Sequence, residues 1–173
     1  MTMKAALLGA VAVMGLAPAA FADRGTDGEV KLTFPQAVSI MNPYLSGGTK
    51  DIYASSMVLE PLAGLDPNGV MVPKLVTEIP TLENGGISAD MTSITWKLLP
   101  DLKWSDGSAV TADDAVFTWQ YCTHPEGGCS QATKFEGVAS VEAVDPSTIK
   151  VTFAAPKANP YTAFVSALSP VLQ

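Results

Sequence analysis

The segment from Trp96 to Trp119 constrains this chain more than any other. Ile94, Trp96 and Leu98 alternate with Thr95 and Lys97, the period of a half-buried strand. Asp106-Gly107 then supplies a tight turn, because glycine reaches positive φ without steric cost. Thr111 stands three residues before Asp114, an acidic variant of the capping box. Ala112, Ala115, Val116 and Trp119 follow at the spacing of one helix face. Asp113 and Asp114 fall in the first turn, where the helix dipole favours negative charge. Strand, turn and capped helix are therefore predicted in immediate succession.

The other elements are shorter. Glu29 to Phe34 alternates and predicts a strand that Pro35 ends. Asn42-Pro43 to Thr49 is a loop containing Gly47-Gly48. Asp51 to Leu62 predicts a helix with Ile52, Ser55, Ser56 and Leu59 on one face, stopped at Pro61. Asp66-Pro-Asn-Gly69 separates two apolar runs, as in a hairpin. The polar, Gly-rich residues 80–93 predict a surface loop. Val138 to Ala143 and Thr148 to Phe153 alternate on either side of Asp145-Pro146-Ser147, a second hairpin. Tyr161 to Leu168 predicts a short apolar helix. The class is α+β with antiparallel pairs.

The first residues form a targeting segment. Lys4 precedes a short apolar core from Ala5 to Ala17, too short to span a bilayer. Ala20-Phe21-Ala22 fits a cleavage site, which places the signal peptide at 1–22 and predicts an exported, periplasmic chain. Roughly 150 residues remain, enough for one good core. The formal net charge of −7 with no basic run argues against nucleic acid.

An exported chain whose only cysteines are Cys122 and Cys129 points to a disulfide between them. Gly127-Gly128 lets so short a loop close. His124 lies between them, so Cys-x-His-x4-Cys also reads as three metal ligands. Compartment and ligand count favour the disulfide, and no metal or cofactor is expected.

Catalytic patterns are missing from the sequence: no G-x-S-x-G, P-loop, G-x-G-x-x-G or H-E-x-x-H is present. Asp113 and Asp114 point in different directions on a helix, which favours capping over paired acid-base chemistry. Trp96, Trp104 and Trp119 suit a core better than a stacking platform. The candidate ligand contact is Ser46-Gly47-Gly48-Thr49. Its glycines expose backbone polar groups and permit close approach, and an extended peptide can be held by such groups. An ordinary Gly-rich turn reads equally well from these residues.

The pattern from Leu99 to Trp119, L-x-x-x-x-W-S-D-G-x-x-V-T-A-D-D-x-x-x-T-W, resembles the extracytoplasmic solute-binding proteins of the oligopeptide-binding family (family 5), which serve ABC importers. Asn42-Pro43, Val58-Leu-Glu-Pro-Leu62, Val72-Pro-Lys-Leu75 and Val144 to Phe153 fit in the same order. The resemblance covers about residues 30–172. It implies two lobes around a cleft, with an extra domain set into the first lobe. By it, residues 23–57 begin lobe one and 58–173 form the extra domain, truncated near its end. It places the loop after Asn42-Pro43 on the cleft side of lobe one. It implies a monomeric, non-enzymatic protein that captures a peptide, or a similar solute such as a nickel complex, haem or sugar, for an inner-membrane ABC permease. The alternatives are the N-terminal part of a secreted enzyme such as a peptidase, or a small complete secreted interaction module.

Overall fold

A computed structural model describes residue 28 and residues 31–173. The signal peptide expected over residues 1–22 and its expected cleavage site lie outside the described residues, as does the start of the strand expected over Glu29 to Phe34. Residues 31–34 are not in a strand. Residues 34–173 form one compact unit.

The strand β3, Ser93–Lys97, buries Ile94 and Trp96 as its alternation predicts. It is one edge of a three-stranded antiparallel sheet of order β3-β5-β4, with β4 at Val138–Asp145 on the other edge and β5 at Thr148–Phe153. β5 lies in the middle and buries Ile149, Val151 and Phe153. Trp96 sits opposite Ile149 and Ile94 opposite Val151, so the apolar faces of the two strands coincide. The β4–β5 turn is built on Asp145, whose Oδ1 accepts the Ser147 N–H and hydroxyl, both at 2.8 Å. These bonds hold the Asp145 carboxyl below its ordinary pKa.

That turn also seats the neighbouring elements. The Pro146 carbonyl accepts the Ala112 N–H at 2.9 Å, and the Ser147 carbonyl accepts the Leu98 N–H at 2.8 Å. The helix α2, Ala112–Thr123, therefore begins against the turn of the hairpin it covers. Its buried stripe is Ala112, Ala115, Thr118 and Cys122, with Val116 and Trp119 half-buried at its margin. Thr118 accepts the Leu172 N–H at 2.8 Å through its hydroxyl oxygen, which ties the end of the chain to the helix.

Between β3 and α2, the Trp104 and Ser108 backbones pair at 2.9 Å and Gly107 takes φ +90°. Asp106 accepts the Ser108 hydroxyl and amide and the Gln173 side chain, which together hold its carboxyl down to about 2. Thr111 and Asp114 form a capping box, and its acidic half is the well-formed one. Asp114 Oδ2 accepts the Thr111 N–H at 2.7 Å and the Trp104 indole N–H at 3.2 Å. The Asp114 N–H is taken by the Thr111 carbonyl at 3.1 Å, so the Thr111 hydroxyl matters less than its position suggests.

A separate two-stranded hairpin pairs β1, Ala63–Leu65, with β2, Met71–Pro73. Its turn is the expected Asp66 to Gly69, where Asp66 Oδ1 accepts the amides of Asn68 and Val70 at 2.9 and 2.8 Å. Residues 80–93 form the expected loop without helix or strand, except that Ser93 already belongs to β3. Ile87 is the side chain of this loop that enters the core.

Two helix expectations are corrected. The helix expected over Asp51 to Leu62 is Thr49–Ser55, α1, and ends about two turns early. Leu62 must be extended, because its N–H bonds the Phe164 carbonyl at 2.9 Å and its carbonyl accepts the Lys74 N–H at 3.0 Å. The expected Tyr161 to Leu168 helix does not form at all. Phe164 and Ser166 take φ +60° and +72°, which no right-handed helix allows. Between them Val165 bridges to Ala63 in parallel, and Phe164 is fully buried. A short apolar run has no decisive period, and tertiary pairing settled it.

Candidate functional site

The candidate ligand loop grows out of Asn42-Pro43. The Asn42 side chain accepts the Tyr44 N–H at 2.9 Å and caps a single 3-10 turn, Pro43–Leu45, in which proline starts the turn without losing a needed donor. Tyr44 points inward and is fully buried. Its hydroxyl donates to the Pro170 carbonyl at 2.5 Å and lies 3.4 Å from Ser169 Oγ. Burial pushes the phenol well above its ordinary pKa, with Ser169 opposing.

Beyond Leu45 the chain turns outward. Ser46 Oγ donates to Asp51 Oδ2 at 2.7 Å and accepts the Gly48 N–H at 3.1 Å. Gly48 is the residue before α1. Gly47 is exposed, and a methyl group placed on its Cα would meet nothing within 4 Å. Thr49 is exposed as well. Of the four candidate residues, Ser46 and Gly48 are thus committed to holding the loop, while Gly47 and Thr49 face solvent.

Asp51 is the residue that sequence reasoning missed. Its side chain is nearly inaccessible, yet it carries a charge, held by Lys50 Nζ at 2.8 Å. The Ser39 N–H at 2.7 Å, the Ser46 hydroxyl and the Ile40 N–H at 3.4 Å complete its shell. Lys50 first, then Ser39 and Ser46, hold its carboxyl far below the usual range. One carboxylate therefore fastens residues 39, 40 and 46 to the first turn of α1. The signal in the sequence was an acid in a helix first turn directly after Gly-Gly. Its partners twelve residues upstream carry no pattern of their own.

The remaining singled-out residues have structural partners. Cys122 and Cys129 are joined in a disulfide with Cα atoms 5.1 Å apart, which takes both sulfurs away from any metal set. His124 Nδ1 accepts the Glu126 N–H at 3.2 Å inside the exposed loop they close. Trp96 is core and meets Tyr161 edge-on at 6.3 Å. Trp104 is turned toward Asp114, and Trp119 is half-buried against the core. The three tryptophans do not make a stacking platform.

An α+β unit with a sheet, a capped covering helix and a side hairpin is the architecture of a segment of a two-lobed binding protein. Its backbone matches OppA of Listeria monocytogenes bound to peptide with TM-score 0.64, at 23% identity over 79% of this chain and 29% of that one. It matches NikZ of Campylobacter jejuni in complex with Ni(L-His) with TM-score 0.63, at 28% identity over 79% of this chain and 25% of that one. In sequence, the glutathione-binding protein GsiB of Escherichia coli O1:K1 is 23% identical over 159 residues, which is 92% of this chain and 28% of the relative. The chain thus spans under a third of the length of these relatives. Residues 70–173 match the profile of the bacterial extracellular solute-binding proteins, family 5 Middle. The chain belongs to that family.

Proposed function

We propose that this chain is part of the solute-binding component of an ABC importer and that the complete protein captures peptides or a similar small solute for an inner-membrane permease. The observation that carries the proposal is the family match over residues 70–173. Relatives of the same fold bind a peptide, glutathione or a nickel–histidine complex, and all of them are binding proteins rather than enzymes. The kinship supports a non-enzymatic role, and a monomer is part of the same proposal.

On this reading residues 23–57 open lobe one and 58–173 belong to the extra domain of a longer, two-lobed protein. Surface chemistry supports it. Tyr53, Met57, Val58 and Leu65 are each more than half exposed, a concentration of apolar groups around α1 and β1 suited to cover by further protein. Residues 1–22 would direct export to the periplasm, and N-terminal sequencing of exported material should begin at Asp23. Recovery only in the cytoplasm with Met1 retained would oppose this.

Ser46 to Thr49 would lie on the cleft side, with Gly47 offering its backbone to an extended ligand. Gly47→Ala is the clean test, because open space surrounds the new methyl group and stability should hold. In the complete protein, peptide affinity measured by calorimetry should fall tenfold or more while the melting temperature stays put. Unchanged affinity would remove this loop from the binding surface.

A further inference from the structure

We propose that the Cys122–Cys129 disulfide is a positioning device for the Ser46–Thr49 loop, acting through Ser130 and Gln131 on the backbone of Pro43 and Tyr44. The inference rests on the reading of that loop as a solute contact, but its mechanical part is testable without any solute.

The geometry runs from helix to loop in short steps. α2 ends at Thr123, and residues 123–128 are exposed. Inside that excursion the chain bonds mainly to itself, with Gly127 N–H on the His124 carbonyl at 2.9 Å and Glu126 N–H on His124 Nδ1 at 3.2 Å. Gly128 turns it back at φ +59°. The disulfide then fixes Cys129 to the buried Cys122 of α2. The next residue, Ser130, donates its N–H to the Tyr44 carbonyl at 2.8 Å. Gln131 is buried and donates Nε2–H to the Pro43 carbonyl at 3.4 Å. Phe135 closes the clamp from the far side, its ring 6.3 Å from Tyr44 and 5.3 Å from Phe164.

Tyr44 is two residues before Ser46. The candidate loop is therefore suspended between two fixtures, the Asp51 carboxylate on the α1 side and the Ser130–Gln131 backbone on the other. Cys129 is the last covalently fixed point before that second fixture. Cutting the crosslink removes the covalent tie between Cys129 and α2 and leaves Ser130 held by the exposed, self-bonded excursion on one side and by the packing of residues 132–135 on the other. The Asp51 fixture stays intact, so the loop should loosen without coming undone.

Residue-resolved hydrogen exchange on the folded full chain tests this, comparing wild type with Cys122→Ala/Cys129→Ala and with Gln131→Ala. Leu45 and Gly48 report the loop, since their N–H groups bond Asn42 O and Ser46 Oγ. β5 reports the sheet. Losing a crosslink that merely restricts the unfolded chain accelerates amides that exchange through global unfolding and leaves locally opening ones alone. We expect Leu45 and Gly48 to exchange about tenfold faster in the double variant, and about threefold faster in Gln131→Ala with the disulfide intact. Acceleration confined to β5, or no change at Leu45 and Gly48 in either variant, would overturn the proposal. Should the double variant fail to fold, Gln131→Ala and wild type after mild thiol reduction and alkylation decide the matter by the same criterion. If Gly47→Ala leaves solute affinity intact while the exchange result stands, the solute reading fails and the positioning role survives.

Discussion

Removing Asp114 should unlock the start of α2. Its Oδ2 holds the Thr111 N–H at 2.7 Å and the Trp104 indole N–H at 3.2 Å, so Asp114→Ala strips an acceptor from two donors at once. The helix-terminal amide is a cap interaction, for which about 1 kcal/mol is typical. The indole bond contributes about 1 kcal/mol more, since Trp104 is only half-buried and water can partly replace the carboxylate. Loss of negative charge in the first turn adds about 0.5 kcal/mol. The total is about 2–3 kcal/mol, if the terms add. For a domain of this size that corresponds to a drop of roughly 4–12 °C in melting temperature. Asp114→Asn keeps one oxygen acceptor without the charge and should cost about 1 kcal/mol. Thr111→Ala should cost less than Asp114→Ala, because the Thr111 backbone makes the observed bonds. Urea denaturation followed by circular dichroism and tryptophan fluorescence would measure all three. A loss below about 0.5 kcal/mol for Asp114→Ala, within the range of an ordinary surface substitution, would refute the reasoning. So would a larger loss for Thr111→Ala.

Acid should loosen the segment that Asp51 fastens. Its folded pKa is depressed, so its contribution is fully present above the unfolded value of about 3.9 and fades as pH falls below it. The Ser39 amide resonance of the folded chain should hold still through the ordinary aspartate range, shift only well below it in wild type, and show no such shift in Asp51→Asn. Gly86→Ala should destabilise the chain by about 1–3 kcal/mol, the range for overpacking. The new methyl would sit 2.5 Å from Pro80 Cβ and 2.7 Å from Pro80 Cα, and a denaturant melt equal to wild type would contradict that packing.

Local grammar was readable in the sequence and distant pairing was not. Asp66, Asp106 and Asp145 each bond amides two residues on, so the turns announce themselves over a few positions. The alternation around Trp96 and Ile149 needs only one buried face. The shortened α1 and the unwound 161–168 segment depend on each other through the Leu62–Phe164 bond, and neither sequence stretch encodes its partner. The same holds at the candidate site. Gly47-Gly48 marked a place of backbone access, but the fixtures that give the loop its shape come from Asp51, from Ser39 and from residues 130–131.

The bond from Tyr44 to Pro170 also sets an order of events during synthesis. These residues are 126 positions apart in the chain. At ribosomal rates of about 5–20 residues per second, Tyr44 waits roughly 6–25 s for its acceptor to be made. The β4–β5 hairpin forms on a scale of about 1–10 μs once both strands exist. Nascent chains will therefore carry a deep aromatic residue with nowhere to dock throughout that interval. A factor that shields exposed apolar segments has its longest opportunity there, and a protease added to stalled chains should cut near Leu45 until residue 170 has emerged.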